Sequence, residues 1–269
     1  MASLFDLSRA DLGVLLADQP RYRVDQVWRG LYEKARLPAE LTNVPASVRT
    51  HLADSAPLAL TEVTRLEADR GETIKWLWRL SDGAVIETVL MFYRDRATVC
   101  VSTQAGCAMG CGFCATGQAG FERHLTAGEI VEQIAHARRA SGERRVSNIV
   151  FMGMGEPFAN YDRTWEAIVR IHDDIGISAR HLTVSTVGII PGIKRLTAEE
   201  LPVNLAVSLH AANDKLRDEL VPINKRYPLD ELHVACAEYV KTTHRRLSFE
   251  WALIDGVNDS TNDIRELAA

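Results

Sequence analysis

Residues 97–114 read ATVCVSTQAGCAMGCGFC, and this stretch decides how the rest of the chain is interpreted. It begins as a β-branched run typical of a strand and continues into Cys107, Cys111 and Cys114, which alternate with glycines. Three soft thiolates on a backbone that can curl around a metal are typical of iron-sulfur ligation. Three protein ligands leave one metal position open to a small molecule. The alternatives are a zinc knuckle completed by His124 and buried cysteines without a metal.

Strands and helices alternate from this stretch onward, which is the pattern of a parallel sheet with crossover helices. The predicted strands are 97–103, 146–152, 181–186, 203–208 and 247–253. The predicted helices are 126–140, 161–174, 192–199 and 229–242, with another beginning near residue 261. The first helix opens on a capping box formed by Thr126 and Glu129. The pattern predicts an α/β fold with a partial βα barrel, because a closed barrel needs eight such units.

The chain before residue 97 has a different character. Apolar residues recur at helical spacing at 7–18, 24–35 and 46–55, whereas 72–80 and 85–92 are β-rich runs separated by the turn Ser81-Asp82-Gly83. We therefore predict a helical accessory domain at 1–58, an antiparallel ribbon at 59–96 and the partial barrel at 97–269.

Composition restricts the class of protein. The 269 residues are 46% hydrophobic, which is enough for a large core, and the net charge of −5 argues against nucleic-acid binding through a global positive field. Local basic pairs such as Arg144-Arg145 still allow an RNA contact. We find neither a secretion signal nor an apolar run of membrane-spanning length. We therefore expect a cytoplasmic protein without a membrane partner, in which thiols serve as ligands rather than disulfides.

The cysteine motif, with an aromatic residue just before Cys114, is similar to that of the radical S-adenosylmethionine (SAM) superfamily. Other segments resemble the RlmN family of that superfamily. They are CVSTQAGC at 100–107, GMGEP at 153–157, HLTVSTVG at 181–188, SLHA at 208–211 and VPINK at 221–225. The resemblance implies a [4Fe-4S] cluster on Cys107, Cys111 and Cys114 and SAM as second cofactor, with the protein positioning the cofactor that carries the chemistry.

The resemblance also implies an activity and partners. RlmN enzymes methylate carbon 2 of an adenine in 23S rRNA and in some tRNAs through a methylated-cysteine intermediate. By resemblance we expect those RNAs as substrates, an electron donor such as flavodoxin, and a monomer. The alternatives are the sister family that methylates carbon 8 of the same adenine and an inactive remnant that binds the cluster or RNA. Another radical enzyme, such as an activase of a glycyl radical partner, is disfavoured by the GMGEP and SLHA segments.

Several residues at predicted strand ends match family positions that bind SAM. In a parallel sheet these ends lie together on one rim, where backbone groups and a carboxylate can accept hydrogen bonds from the methionyl ammonium. The residues are Gly155, Glu156, Ser185, Ser208, Leu209 and His210. The alternative is that each only caps a strand end, and for His210 that it is a core histidine.

Glu87 is the candidate catalytic carboxylate. It alternates with Val85, Val89 and Met91 on one strand face, where an acid is either incidental or tuned by desolvation for proton transfer. Its place twenty residues before Cys107 resembles that of the family's general base, which takes a proton from the adenine carbon.

Two further cysteines are not assigned to the cluster. Cys100 matches a family cysteine but could equally be a small buried hydrophobe, and Cys236 is expected in the core. The sequence ends at Ala269 in the helix after the fifth strand, before the family's sixth strand, its Pro-Trp-Asn-type segment and its methyl-carrying cysteine. We therefore expect no methyl-carrying cysteine in this sequence and interpret it as a fragment or truncated product.

Overall fold

Residues 3–268 are described by a computed structural model, and most of them lie in ten strands and ten α-helices. The strands are β1 (Thr61–Ala68), β2 (Thr73–Arg79), β3 (Val85–Phe92), β4 (Ala97–Cys100), β5 (Gln104–Gly106), β6 (Phe121–His124), β7 (Val146–Phe151), β8 (Leu182–Thr186), β9 (Asn204–Ser208) and β10 (Leu247–Glu250). The helices are α1 (Arg9–Leu15), α2 (Tyr22–Tyr32), α3 (Ala46–Ser55), α4 (Ala115–Ala119), α5 (Ala127–Ala140), α6 (Tyr161–Arg170), α7 (Ile190–Ala198), α8 (Asp214–Leu220), α9 (Leu229–Thr243) and α10 (Thr261–Ala268).

Eight strands form one continuous sheet in the order β1-β2-β3-β4-β7-β8-β9-β10. The pairs from β1 to β4 are antiparallel, and those from β4 through β7, β8 and β9 to β10 are parallel. The ribbon therefore continues the edge of the parallel sheet, since β3 pairs directly with β4. The carboxyl ends of the parallel strands share one rim, where ligands bind in open α/β sheets.

The five predicted barrel strands correspond to β4, β7, β8, β9 and β10, and the predicted fold class is confirmed. The Ser81-Asp82-Gly83 turn joins β2 to β3 as expected. The capping box is also present: Thr126 Oγ1 accepts a hydrogen bond from Glu129 N at 3.1 Å, and the Glu129 carboxylate accepts one from Thr126 N at 2.9 Å. These features rest on local patterns, which explains why the sequence predicts them.

Some boundaries differ from the sequence prediction, and several short elements were not predicted. The predicted strand 97–103 ends at Cys100, and residues 104–106 belong to the separate hairpin β5-β6. The predicted helix 161–174 is α-helical only to Arg170 and continues as a π-helical turn over Ile171–Ile175. The strand β1, the hairpin β5-β6 and the helices α4 and α8 were not predicted.

The N-terminal helices dock on the barrel through a few buried polar contacts. The carboxylate of Glu132, which is fully buried on α5, accepts hydrogen bonds from the backbone N–H groups of Ala59 and Leu60, both at 2.9 Å. Trp28 on α2 donates its indole N–H to Asp174 at 2.9 Å. These contacts satisfy buried polar groups that would otherwise destabilise the interface. Within residues 3–268 no helix is long and apolar enough to cross a membrane.

Candidate active site

The cysteines lie in a loop that the hairpin β5-β6 closes. Gly106 on β5 pairs with Phe121 on β6, and Cys107 N donates to Gly120 O at 2.8 Å. Gly106 has φ +72°, and a Cβ atom there would lie 2.0 Å from Gly120 O. A side chain at Gly106 would therefore prevent the two ends of the loop from meeting, so this position requires glycine.

The three thiols of this loop are near one another, and all are free in the structure. Burial raises the pKa of the Cys111 thiol to about 12, and the neighbouring Cys107 and Cys114 add to the effect. Burial likewise raises the pKa of Cys107. A thiolate is the ligating form, so these thiols would need a cationic partner to ionise. Soft sulfur donors in a closed loop fit an iron-sulfur cluster.

A single-ion zinc site is not formed by these residues. His124, which would be the fourth ligand in the alternative zinc site, instead makes a 2.9 Å hydrogen bond between its Nδ1 and the Gln104 side-chain amide. No three His, Cys, Asp or Glu side chains in residues 3–268 are arranged to hold one metal ion. A zinc site needs its ligands to converge on one centre. In a four-iron cluster each thiolate binds a different iron, so the thiols need only surround a shared space.

A cleft of about 300 Å³ opens at the rim of the parallel sheet. Four of the six predicted SAM residues line it: Gly155, Glu156, Ser185 and Ser208. The hydroxyls of Ser185 and Ser208 lie 3.4 Å apart across the neighbouring strands β8 and β9. Glu250, at the end of β10, lines the cleft as well and was not predicted from the sequence. The rim thus brings together residues that are about 95 positions apart in the chain, as parallel strands do.

Glu156 is buried, with 2% of its surface exposed, and its carboxylate spans two strand ends. One carboxylate oxygen accepts from Phe158 N at 3.0 Å and the other from Val187 N at 2.9 Å. Burial raises the pKa of Glu156 to about 7, although these two N–H groups oppose the shift because they favour the charged form. The carboxylate therefore fastens the loop after β7 to the loop after β8.

Gly155 allows the chain to pass close to the cysteine segment. Its φ is +98°, and a Cβ atom there would lie 2.5 Å from Gln104 Cβ and 2.8 Å from Gln104 N. The next residue, Glu156, donates its N–H to the Gln104 side chain at 2.8 Å. The GMGEP segment and the cysteine segment are thus locked together at Gln104.

The SLHA segment follows β9 and reaches the cysteine loop. His210 has φ +59°, and its ring packs edge-on against Phe113 at 4.5 Å between centroids. Burial lowers the pKa of His210 to about 4, so the ring is neutral, and its Nδ1 accepts from Ala252 N at 3.0 Å. Leu209 is held by its backbone, since its N–H donates to Glu250 O at 3.0 Å. His210 therefore lies between the cysteine loop and the segment that follows β10.

Sequence reasoning missed the polar residues that hold this rim together. Asn160 donates to Thr103 O at 2.9 Å and to Leu125 O at 2.8 Å, which fixes both sides of the hairpin. Gln104 links His124 to Glu156. Gln104 lies in the quoted cysteine stretch, but nothing in its local pattern marks a buried amide. Arg217 is fully buried on α8 and was not singled out either.

Comparison with known proteins identifies the family. Residues 101–268 match the family model described as the radical SAM superfamily. A probable dual-specificity RNA methyltransferase RlmN of Chloroflexus aurantiacus is 50% identical over 98% of this chain and 74% of that protein. One with the same name from Roseiflexus castenholzii is 47% identical over all of this chain and 78% of its own length. The chain belongs to the RlmN family. A radical SAM methyltransferase from Sphaerobacter thermophilus, solved by crystallography, has 50% identity and a TM-score of 0.94, covering all of this chain and 81% of that one.

Glu87, the candidate general base, lies on the ribbon rather than on the rim. Its side chain is 39% exposed and forms a 2.7 Å ion pair with Lys75. The face that it shares with Val85 and Val89 is half-buried. The expectation of a desolvated acid is therefore wrong, and Lys75 is the group that acts on this carboxylate. The role of Glu87 as a base stays a prediction.

The two remaining cysteines have different surroundings. Cys236 is 1% exposed and belongs to the hydrophobic core, as predicted. Cys100 ends β4 opposite Val89, and burial raises the pKa of its thiol to about 11. Burial raises the pKa of the Cys236 thiol to about 11 as well, so both thiols carry their proton at neutral pH.

Proposed function

We propose that this chain is a radical SAM methyltransferase that transfers a methyl group to carbon 2 of an adenine in 23S rRNA and in some tRNAs. A [4Fe-4S] cluster on Cys107, Cys111 and Cys114 and SAM in the rim cleft are its cofactors. The main support for this proposal is that Gln104 connects the closed cysteine loop to the rim of the parallel sheet. The chain is also 50% identical to a protein named RlmN. The electron comes from a low-potential donor such as flavodoxin.

Different residues of the rim would make different contacts with SAM. When bound, the cluster supplies the electron that splits SAM into methionine and a 5′-deoxyadenosyl radical. Because the Glu156 carboxylate accepts hydrogen bonds from two backbone N–H groups, it keeps Phe158 and Val187 in place. It has lone pairs left for a methionyl ammonium. The hydroxyls of Ser185 and Ser208 offer further polar contacts in the same cleft. Leu209 and His210 follow Ser208 outside the lining of this cleft, where they contact Glu250 and Phe113.

Glu87 acts as the general base in this proposal. It is exposed enough to meet a substrate base that enters from solvent. Removing a proton from an adenine carbon late in the reaction releases the product. The methyl-carrying cysteine of the mechanism is not assigned to any residue of this sequence.

The cluster assignment is tested by anaerobic reconstitution of the 269-residue chain. We expect about four irons per chain and an electron paramagnetic resonance signal of the reduced protein that changes when SAM is added. Cys111→Ala should lose that signal. Cys236→Ala removes a core thiol of the same chain and should keep it. A Cys111→Ala variant that keeps a SAM-sensitive four-iron signal would contradict the ligand assignment, as would tight zinc binding by the wild-type chain.

The reaction is tested on RNA. Mass spectrometry of nucleosides from RNA incubated with protein, SAM and reductant distinguishes 2-methyladenosine from 8-methyladenosine, and product at carbon 8 would place the chain with the sister activity. SAM cleavage without either product would support an inactive remnant.

Substitution of Glu87 tests its role directly in this assay. If Glu87 is the base, Glu87→Gln in an enzyme that has the methyl-carrying cysteine accumulates a protein-RNA crosslink, where the same enzyme with Glu87 releases product. Glu67→Gln, which changes another ion-paired acid of the ribbon, should behave as wild type. Normal product release by Glu87→Gln would remove Glu87 from the mechanism.

A further inference from the structure

Arg217 is a fully buried cation that lacks a carboxylate in contact. It lies on α8 with 0% of its surface exposed. Among residues 3–268, its hydrogen bonds go only to neutral acceptors, and no carboxylate forms an ion pair with it. A buried charge without a partner is costly, so charged residues in protein interiors are nearly always compensated. This site therefore needs an explanation.

The hydrogen bonds of Arg217 join the ends of two strands. Its Nε donates to Leu209 O at 3.1 Å, and one terminal nitrogen donates to Val187 O at 2.7 Å and Ser208 O at 3.2 Å. The other terminal nitrogen donates to Asn224 Oδ1 at 2.7 Å. The guanidinium thus holds the carbonyls that follow β8 and β9, behind the cleft that Ser208 lines.

The nearby acids reach Arg217 only through Asn224. The Asn224 amide nitrogen donates to Asp214 at 2.8 Å and to Asp218 at 2.7 Å, and its oxygen accepts from Arg217. Both acids are at least partly exposed. Asn224 separates these two acids from the guanidinium, and solvent screens their charges. They therefore compensate the positive charge of Arg217 only in part.

The helix that carries Arg217 also touches the cysteine loop. Leu220 O, at the end of α8, accepts a hydrogen bond from Gly112 N at 3.1 Å, next to Cys111. Arg217 Nε also donates to Leu209 O, and the next residue, His210, packs its ring against Phe113, which lies between Cys111 and Cys114. A permanent cation is therefore built into the scaffold that supports the cysteine loop.

We infer that Arg217 is a positioning residue for the reduction of the cluster: it provides the buried counter-charge to an anionic three-thiolate iron-sulfur cluster and holds the adjoining strand ends. This inference rests on the proposed function. A [4Fe-4S]²⁺ core with three thiolates carries one negative charge, and taking up one electron from the donor makes it two. A fixed positive charge stabilises the more negative state, so Arg217 raises the potential at which the electron is accepted.

The test is a redox titration of the reconstituted chain without SAM, followed by electron paramagnetic resonance. In Arg217→Gln we expect the ratio of reduced to oxidised cluster at a fixed applied potential to fall about tenfold, a midpoint shift of about 59 mV for a one-electron couple. Arg217→Lys keeps a positive charge and should recover most of the shift although it loses the forked hydrogen bonds. Arg195→Gln removes an exposed, ion-paired arginine of α7 and should leave the potential unchanged.

An Arg217→Gln variant that holds a full cluster at the wild-type potential overturns the inference and leaves Arg217 as a hydrogen-bond hub. A Lys variant shifted as far as the Gln variant does the same. If Arg217→Gln cannot be loaded with a cluster, Asp218→Asn decides: removing an acid that offsets the cation should raise the midpoint potential, and no change there overturns the inference. Failure of the proposed function is recognised separately, because then the wild-type chain forms no SAM-sensitive cluster at all.

Discussion

The two halves of the sheet hold their candidate functional acids in opposite ways. On the parallel rim, Glu156 is buried and both of its oxygens are bound by backbone N–H groups of neighbouring loops. On the antiparallel ribbon, Glu87 is half-exposed and bound by one flexible lysine. The ribbon ends in β1, whose eight residues are all exposed. The rim therefore fixes an acid before any ligand arrives, whereas the ribbon leaves one exposed to solvent.

One buried side chain connects these two regions. The Gln133 oxygen on α5 accepts from Ser102 N at 2.9 Å and from Thr88 Oγ1 at 2.8 Å, and its nitrogen donates to Ser102 O at 3.0 Å. Thr88 lies on β3, next to Glu87, and Ser102 leads into the cysteine loop. The Ser102 hydroxyl in turn donates to Glu87 O at 2.6 Å. The ribbon and the rim thus share one polar network, and substitutions can separate their contributions.

Breaking this connection should have the largest effect on stability. Gln133→Leu leaves the Ser102 N–H and C=O groups buried without partners, and we expect the free energy of unfolding to fall by about 3–5 kcal/mol. Chemical denaturation of the apoprotein measures this. Gln19→Leu, at a site whose amide bonds only the neighbouring Asp18 in solvent, should change it by less than about 0.5 kcal/mol. Equal effects of the two variants would show that the network does not couple the regions.

The ionisation of Glu156 should have the second largest effect on the free energy of unfolding, and this effect depends on pH. Its pKa is raised from 4.5 to about 7 in the folded protein, so folding favours the neutral acid. The stability that this group contributes is fully present below pH 4.5 and is lost as pH rises through about 7. A shift of this size corresponds to roughly 3 kcal/mol.

Glu156→Gln removes the titration and so provides the comparison. The wild-type apoprotein should gain stability relative to the Gln variant, by about 2–3 kcal/mol, when the pH is lowered from 8 to 5. Urea unfolding at the two pH values measures the difference. A stability gap that stays constant between them would mean that the two backbone N–H groups outweigh burial and keep the acid charged throughout.

The contrast between rim and ribbon also explains what the sequence could predict. The barrel strands, the cysteine loop and the capping box are local patterns, and the structure has them, although β4 and β10 end three residues earlier than predicted. The strand β1 was missed because all of its residues are exposed, so no buried face marks it. The strands of the β5-β6 hairpin have only three and four residues, too short for a periodic signal.

Local sequence patterns could not predict which polar side chains are buried. Helix α8 reads DKLRDEL, which resembles a solvated helix, yet Arg217 within it is fully buried. Its first turn is capped by Asn213, whose side chain accepts from Leu216 N at 2.9 Å. Gln133 is likewise a polar residue whose burial depends on three elements far apart in the chain. Such sites arise only when the sheet is assembled, because their partners are backbone groups of other segments.

Gly155→Ala tests whether the rim needs its close approach to the cysteine segment. The new Cβ atom would meet Gln104 at 2.5 Å with a strained φ of +98°, so we expect a loss of about 1–3 kcal/mol in unfolding free energy and weaker SAM binding. Gly142→Ala is the matched control, since Gly142 also has positive φ but has open space around it. If both variants lose the same amount, backbone strain alone accounts for the effect and the contact with Gln104 is unimportant.

The ion pair of the ribbon should contribute least to stability. Lys75 lies diagonally across from Glu87 on the neighbouring strand, and their side chains are 44% and 39% exposed. Solvent screens a pair this exposed, so a double-mutant cycle of Lys75→Met and Glu87→Gln should give a coupling of only about 0.2–1 kcal/mol. The coupling should shrink further in high salt, because mobile ions screen exposed charges. A coupling above about 2 kcal/mol that resists salt would mean that Glu87 is held as rigidly as Glu156, and the ribbon would then be as preorganised as the rim.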